Sequence, residues 1–231
     1  CIVTSLGHEV SMPSRNRTVL AGLIRDENNP YATRFELRAP NPHTNTYLAM
    51  AACYLAMLDG ICYAILNNKD EDALLAELSK KPGEAAEYLE ASRAYRSEED
   101  VFEDFSAEER DSFFGKAPAT VYENISAFKK YPDKTSVLKK NCVFTDKIIN
   151  SFSETALRRW TTEILHRIMN NYMDEIRSFK PVHSLDKALD LDLSHWMAVN
   201  ELRHYIMKDS YSSESLFTRI RNAADNKDYE A

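Results

Sequence analysis

Arg34-Phe35-Glu36-Leu37-Arg38-Ala39-Pro40 alternates charged and apolar side chains one by one. A period of two is the mark of a β-strand, because successive side chains leave opposite faces of the pleat. On that reading Phe35, Leu37 and Ala39 bury on one side. Arg34, Glu36 and Arg38 share the other, at spacings of about 6–7 Å. Two guanidinium groups flanking a carboxylate can grip anionic groups of a substrate, and the carboxylate can hold a divalent cation. Phosphoryl transfer needs such a place, since its transition state spreads negative charge over several oxygens. An Arg-Glu-Arg strand taken alone is more often the solvated face of an ordinary sheet.

Working outward, Tyr47 to Leu66 is a run of strongly apolar residues. It is long enough on paper to span a bilayer. Asp59-Gly60 interrupts it, and a charge at depth costs about 2.5–3.5 kcal/mol on insertion scales. Four alanines (Ala49, Ala51, Ala52, Ala56) dilute it further, so a helix buried inside a globular domain is expected. Downstream, Pro82-Gly83 marks a turn. An amphipathic helix is expected over Glu84–Tyr95, and a surface loop with short helical turns over Ser97–Asp111. Pro118 fits the first turn of a helix running to Tyr131. Thr145-Asp146 can cap a long helix whose apolar residues recur at three-four spacing, from Ile148 and Ile149 through Trp160 to Met169, ending near Phe179 before Pro181. Two more helices are expected near Leu185–Lys208 and Glu214–Ala224, with a frayed end at Asp225–Ala231.

Composition narrows the classes. Only five glycines occur in 231 residues, well below the usual ~7%, which favours long helices over tight turns. The net charge of −7 gives no footprint for a polyanion, so nucleic acid is not an expected partner. None of the four cysteines forms a C-x-x-C pair, and Cys53 and Cys62 sit in the apolar run as small hydrophobes. No zinc site or disulfide framework is expected, which fits a reducing cytoplasm. The sequence opens at Cys1 without a signal-peptide pattern and reads as a piece of a longer protein.

The order of motifs is more specific than any one of them. Ser14-Arg15-Asn16-Arg17-Thr18 is followed by Arg34-Phe35-Glu36-Leu37-Arg38. Then come Asn45-Thr46-Tyr47-Leu48-Ala49-Met50-Ala51-Ala52 and Leu58-Asp59-Gly60-Ile61. Together these resemble the landmarks of the glutamine synthetase catalytic domain. Asp100-Val101-Phe102, Ser106-Ala107-Glu108-Glu109 and Cys142-Val143-Phe144-Thr145 with Trp160 and Glu163 are similar to its later loop and closing helix. The resemblance implies a mostly α fold, the C-terminal part of an α+β catalytic domain, with a few N-terminal strands before long helices. Residues 1–165 would belong to that domain, and 166–231 would be a helical extension outside the family pattern.

The resemblance also implies roles. Glu36 matches a ligand of a catalytic Mg²⁺ or Mn²⁺ ion, and Arg38 an arginine that contacts the substrate glutamate and its phosphorylated carboxyl. Arg17 matches an arginine near the nucleotide phosphates and substrate. Arg25 is the counterpart of a second nucleotide-contacting arginine at shifted spacing, and Arg34 joins the anion-binding set. Glu9 corresponds to a flap glutamate, again at altered spacing. Phe102 stands where adenylylated bacterial forms carry a tyrosine. The implied reaction is ATP-dependent ligation of glutamate and ammonia through γ-glutamyl phosphate, in a double-ring homo-oligomer of the cytoplasm. Because the family's other metal ligands lie upstream of this segment, the chain alone is expected to be inactive. Two alternatives stay open: a catalytically inactive relative acting as a structural or regulatory module, and a ligase that joins glutamate to another amine. No membrane partner is expected.

Overall fold

The computed structural model describes residues 18, 20–24, 28–97, 99–184 and 186–230. Among the described residues the chain is mostly helical with two N-terminal strands, as the sequence predicts. It divides into two compact units. The first takes Cys1–Ala119 with Phe128–Thr145, and the second Thr120–Ala127 with Asp146–Ala231.

In the first unit, β1 (Ala21–Ile24) pairs antiparallel with β2 (Arg34–Leu37), Gly22 opposite Glu36 and Ile24 opposite Arg34. The Arg38 N–H donates to the Leu20 carbonyl at 2.9 Å and extends the ladder by one step. Between the strands, Asn29 caps a short 3₁₀ turn at Pro30–Ala32 by accepting from the Tyr31 N–H. The burial expected for β2 is reversed. Phe35 is 76% and Leu37 43% exposed, whereas Glu36 and Arg38 are half-buried. A two-stranded ribbon has two faces, and no described residue closes over the apolar one.

α1 (Thr46–Leu66) begins where the Asn45 side chain accepts from the Leu48 N–H and ends at Asn67, with Asn68 in the left-handed region. It is long and apolar enough to cross a membrane by length and composition. The buried core helix expected from the sequence is not what the fold contains. Leu55 alone among its described residues is buried, and Tyr47, Met50, Tyr54, Ile61 and Ile65 are exposed. One flank is engaged by polar partners. Asp59 accepts from Tyr88 at 2.6 Å and pairs with Lys140, and Tyr63 donates to Glu77 at 3.1 Å. These bonds hold α1 against the 84–92 loop and against α5 (Pro132–Lys139).

The stretch expected to form a helix at Glu84–Tyr95 is a loop. Its amides go to a carboxylate instead. Glu77 lies on α2 (Glu71–Leu78), and its Oε1 accepts from the N–H groups of Glu87, Tyr88 and Leu89 at 3.0, 2.7 and 3.0 Å. The Lys80 ammonium donates to the carbonyls of Ala91 and Arg93. A charge-assisted set of this kind outcompetes a marginal short helix. Beyond it, Ala94, Val101 and Phe114 form the buried cluster, with Phe105 edge-on to Phe114 at 5.3 Å. The Ser106–Glu109 capping box starts α3 (Ala107–Phe113). α4 (Val121–Lys130) starts three residues after Pro118, which therefore lies outside its first turn.

In the second unit, α6 (Asp146–Thr162) runs through a π-helical segment (Glu163–Ile168) into α7 (Met169–Ser178). Then come α8 (Asp190–Met207) and α9 (Leu216–Asp225), close to the predicted bounds. Met169, 2% exposed, and Phe217, 9%, mark its interior. The last carbonyls of α7 have no intrahelical donors. Arg203 of α8 supplies them, donating to Ile176 at 2.6 Å and Phe179 at 2.6 Å while its guanidinium lies over the Trp196 ring. Arg203→Ala is expected to destabilise this unit by about 2 kcal/mol, read as a lower melting temperature. The end expected to fray is tethered as far as Glu230. Tyr122 donates to Glu230 at 2.6 Å and stacks on Tyr229.

Candidate functional site

Strand pairing decides which side chains meet on β2. In the observed register Leu20, Gly22 and Ile24 stand opposite Arg38, Glu36 and Arg34, so the three charged residues occupy one face. Arg38 lies side-on to Glu36, with Nε to Oε1 at 3.2 Å and Nη2 to Oε2 at 3.5 Å. The Arg38 side chain is 17% exposed and that of Glu36 39%.

The Arg38 guanidinium lies over Gly22 on the neighbouring strand. A Cβ there would stand 3.4 Å from Arg38 Nη2, in contact with it but not displacing it. That neighbour relation is set by the strand register and cannot be read from the residues around Gly22 alone. Arg34 is exposed at the outer end of the face, and its Nη1 donates to the Ala32 carbonyl at 3.0 Å. Arg17, Arg25 and Glu9 lie outside the described residues.

One link to the motif around Arg17 is visible. The Thr18 hydroxyl accepts from the Val101 N–H at 3.1 Å. Val101 is fully buried, so the end of the Ser-Arg-Asn-Arg-Thr stretch is fixed to the unit's core. The Asp100-Val101-Phe102 turn is held in shape by Asp100, which accepts from the N–H groups of Phe102 and Glu103.

The donor set on this face suits anions and hard cations. A half-exposed carboxylate can bind Mg²⁺ or Mn²⁺, and Mg²⁺ is commonly held by one or two carboxylates together with substrate phosphates rather than by an all-protein cage. Among the described residues no group of three His, Cys, Asp or Glu side chains gathers around one point. Glu36 by itself supplies one carboxylate of the donor set that such an ion needs.

Chemically, then, the first unit presents a paired carboxylate and guanidinium on a strand followed by a long apolar helix. The glutamine synthetase catalytic domain is the family whose model matches the chain, over residues 7–92. That segment, well under half of the chain, is related to glutamine synthetases. It takes in the Arg34–Arg38 strand and all of α1. No curated protein and no solved structure matches the chain.

Proposed function

We propose that the chain is the C-terminal part of an ATP-dependent glutamate–ammonia ligase. Residues 1–165 belong to its catalytic domain and 166–231 form a helical extension. The observation that carries this reading is the side-on Glu36–Arg38 pair, on a strand inside the glutamine-synthetase-related segment.

In this reaction the γ-phosphoryl group of ATP passes to the side-chain carboxylate of glutamate and ADP departs. Ammonia then attacks the acyl phosphate and inorganic phosphate leaves. Arg38 and Arg34 hold the carboxylate and phosphoryl oxygens and offset the charge that grows on them. Arg17 and Arg25 serve the nucleotide phosphates. Glu36 holds Mg²⁺ or Mn²⁺, which when bound neutralises phosphate charge and polarises the transferring group. Until then Arg38 compensates the Glu36 charge, so neither group is left unpaired on a partly covered face.

The remaining ligands and the shielding of the intermediate come from other parts of the ligase and from neighbouring subunits of a cytoplasmic double ring. Neither nucleic acid nor membrane takes part. The test is a γ-glutamyl hydroxamate assay with ATP, glutamate, hydroxylamine and Mg²⁺ or Mn²⁺. The isolated 231-residue chain is expected to give no product above the no-enzyme blank, and the intact ligase to turn over. Turnover by the isolated chain would contradict the reading of a shared site.

A further inference from the structure

The second unit contains a cavity that the ligase reading does not use. It has a volume of about 480 Å³, within the size range of small-molecule sites. Its apolar wall comes from Trp160 of α6, from Ile164 and Leu165 of the π-helical segment, and from Ile220 of α9. Such π-helical turns occur frequently at functional sites. Here the segment turns two successive large aliphatic residues to the same opening.

The mouth is aromatic and acidic. Tyr122 and Tyr229 stack with ring centroids 5.9 Å apart and planes 30° from parallel. Glu123, Asp228 and Glu230 stand in the wall, and among the described residues no Lys, Arg or His lines it. The Tyr122 hydroxyl donates to Glu230 at 2.6 Å, which fixes one carboxylate beside the ring pair.

We infer that this cavity binds an organic cation, an alkylammonium head carried on a compact apolar body. Aromatic faces attract a desolvated cation within about 6 Å of the ring centroid. Three carboxylates with no basic side chain among them oppose an anion. A bare metal ion would need several ligating side chains at one point, and no group of three is found among the described residues. A neutral apolar ligand would use the aliphatic wall and gain nothing from the acids. The inference stands on the cavity alone and is independent of the ligase reading.

The probe is choline, with 3,3-dimethyl-1-butanol as its uncharged isostere. The chain has two tryptophans, so Trp196→Phe leaves Trp160 as the only indole reporter. Choline is expected to change its emission saturably, and calorimetry on the unmodified chain should give the same dissociation constant. The neutral isostere should bind at least about tenfold more weakly, and Glu230→Gln or Tyr229→Ala should weaken choline about tenfold, with the far-UV spectrum retained. Glu230→Gln keeps the shape of the side chain, so the test survives if Tyr229→Ala disturbs the C-terminus. Equal affinity for the neutral isostere, unchanged affinity in Glu230→Gln, or no saturable signal in either measurement would overturn the proposal.

Discussion

In the proposed full-length ligase, Glu36→Gln is expected to lower glutamine formation at least about a hundredfold. The substitution keeps the volume of the side chain and an oxygen that can accept from Arg38, so the β1–β2 ribbon should stay folded. What it removes is the negative charge. Without that charge a hard divalent cation loses an anionic ligand. The loss should fall on kcat and be only partly relieved by raising Mn²⁺. Near-normal turnover at ordinary metal concentration would remove Glu36 from the ligand set. Circular dichroism of the variant separates this outcome from simple unfolding.

Glu77→Ala should have the largest effect on stability, lowering that of the first unit by about 2–3 kcal/mol. One oxygen of Glu77 accepts from three consecutive backbone N–H groups, and the other accepts from Tyr63. Removing the carboxylate leaves these donors to water and frees the loop that carries Tyr88, the partner of Asp59 on α1.

The same cluster fixes a pH dependence. Burial pushes the Glu77 carboxyl up, but the N–H groups of Leu89 and Tyr88, the Tyr63 hydroxyl and the Glu87 N–H together hold it below its ordinary value of 4.5. Glu90 is held low chiefly by Lys134, and Asp59 by Lys140 and Tyr88. Carboxylates with depressed values stabilise the fold fully above their unfolded values, and that stability is lost as pH falls through the folded ones. At the other end, burial and Asp59 push the Tyr88 phenol up to about 12. A raised phenol contributes below its unfolded value of 10.0 and loses that contribution as pH rises toward the folded one. Melting temperature should therefore be flat near neutrality, fall below about pH 4.5 and fall again above about pH 10. In Glu77→Ala the acid limb should be shallower. An acid limb as steep as that of the wild type would mean that Glu77 does not carry it.

The elements that local patterning controls were legible. β2 follows from strict alternation, and α3 falls inside the Ser97–Asp111 stretch expected to be a loop with short helical turns, where the Ser106–Glu109 capping box makes it a regular helix. The start of the long helix near Asp146 follows from its cap and three-four spacing, and α8 and α9 fall within the two further helical stretches expected, α8 starting at Asp190 rather than near Leu185. What failed depended on distant partners. The amphipathic pattern of Glu84–Tyr95 is real, yet its amides are taken by Glu77 on the preceding helix. The tail near Tyr229 and Glu230 looks polar and free, yet it is held by Tyr122, 108 residues from Glu230. Burial was the least legible property. The alternation at Phe35 and Leu37, and the apolar run of α1, specify faces able to be covered, but among the described residues little closes over them. For the site, residue types and spacing indicated Glu36 and Arg38, while the place of Gly22 beneath the guanidinium emerged only with the strand register.

The claim on which the rest depends is that Glu36 is a metal ligand on the strand it shares with Arg38. Mn²⁺ binding to the intact ligase, counted per subunit by electron paramagnetic resonance, tests it without relying on turnover. Glu36→Ala is expected to lose one bound Mn²⁺ or to weaken it at least about tenfold, with the remaining ions unaffected. An unchanged number of Mn²⁺ ions at unchanged affinity would contradict it.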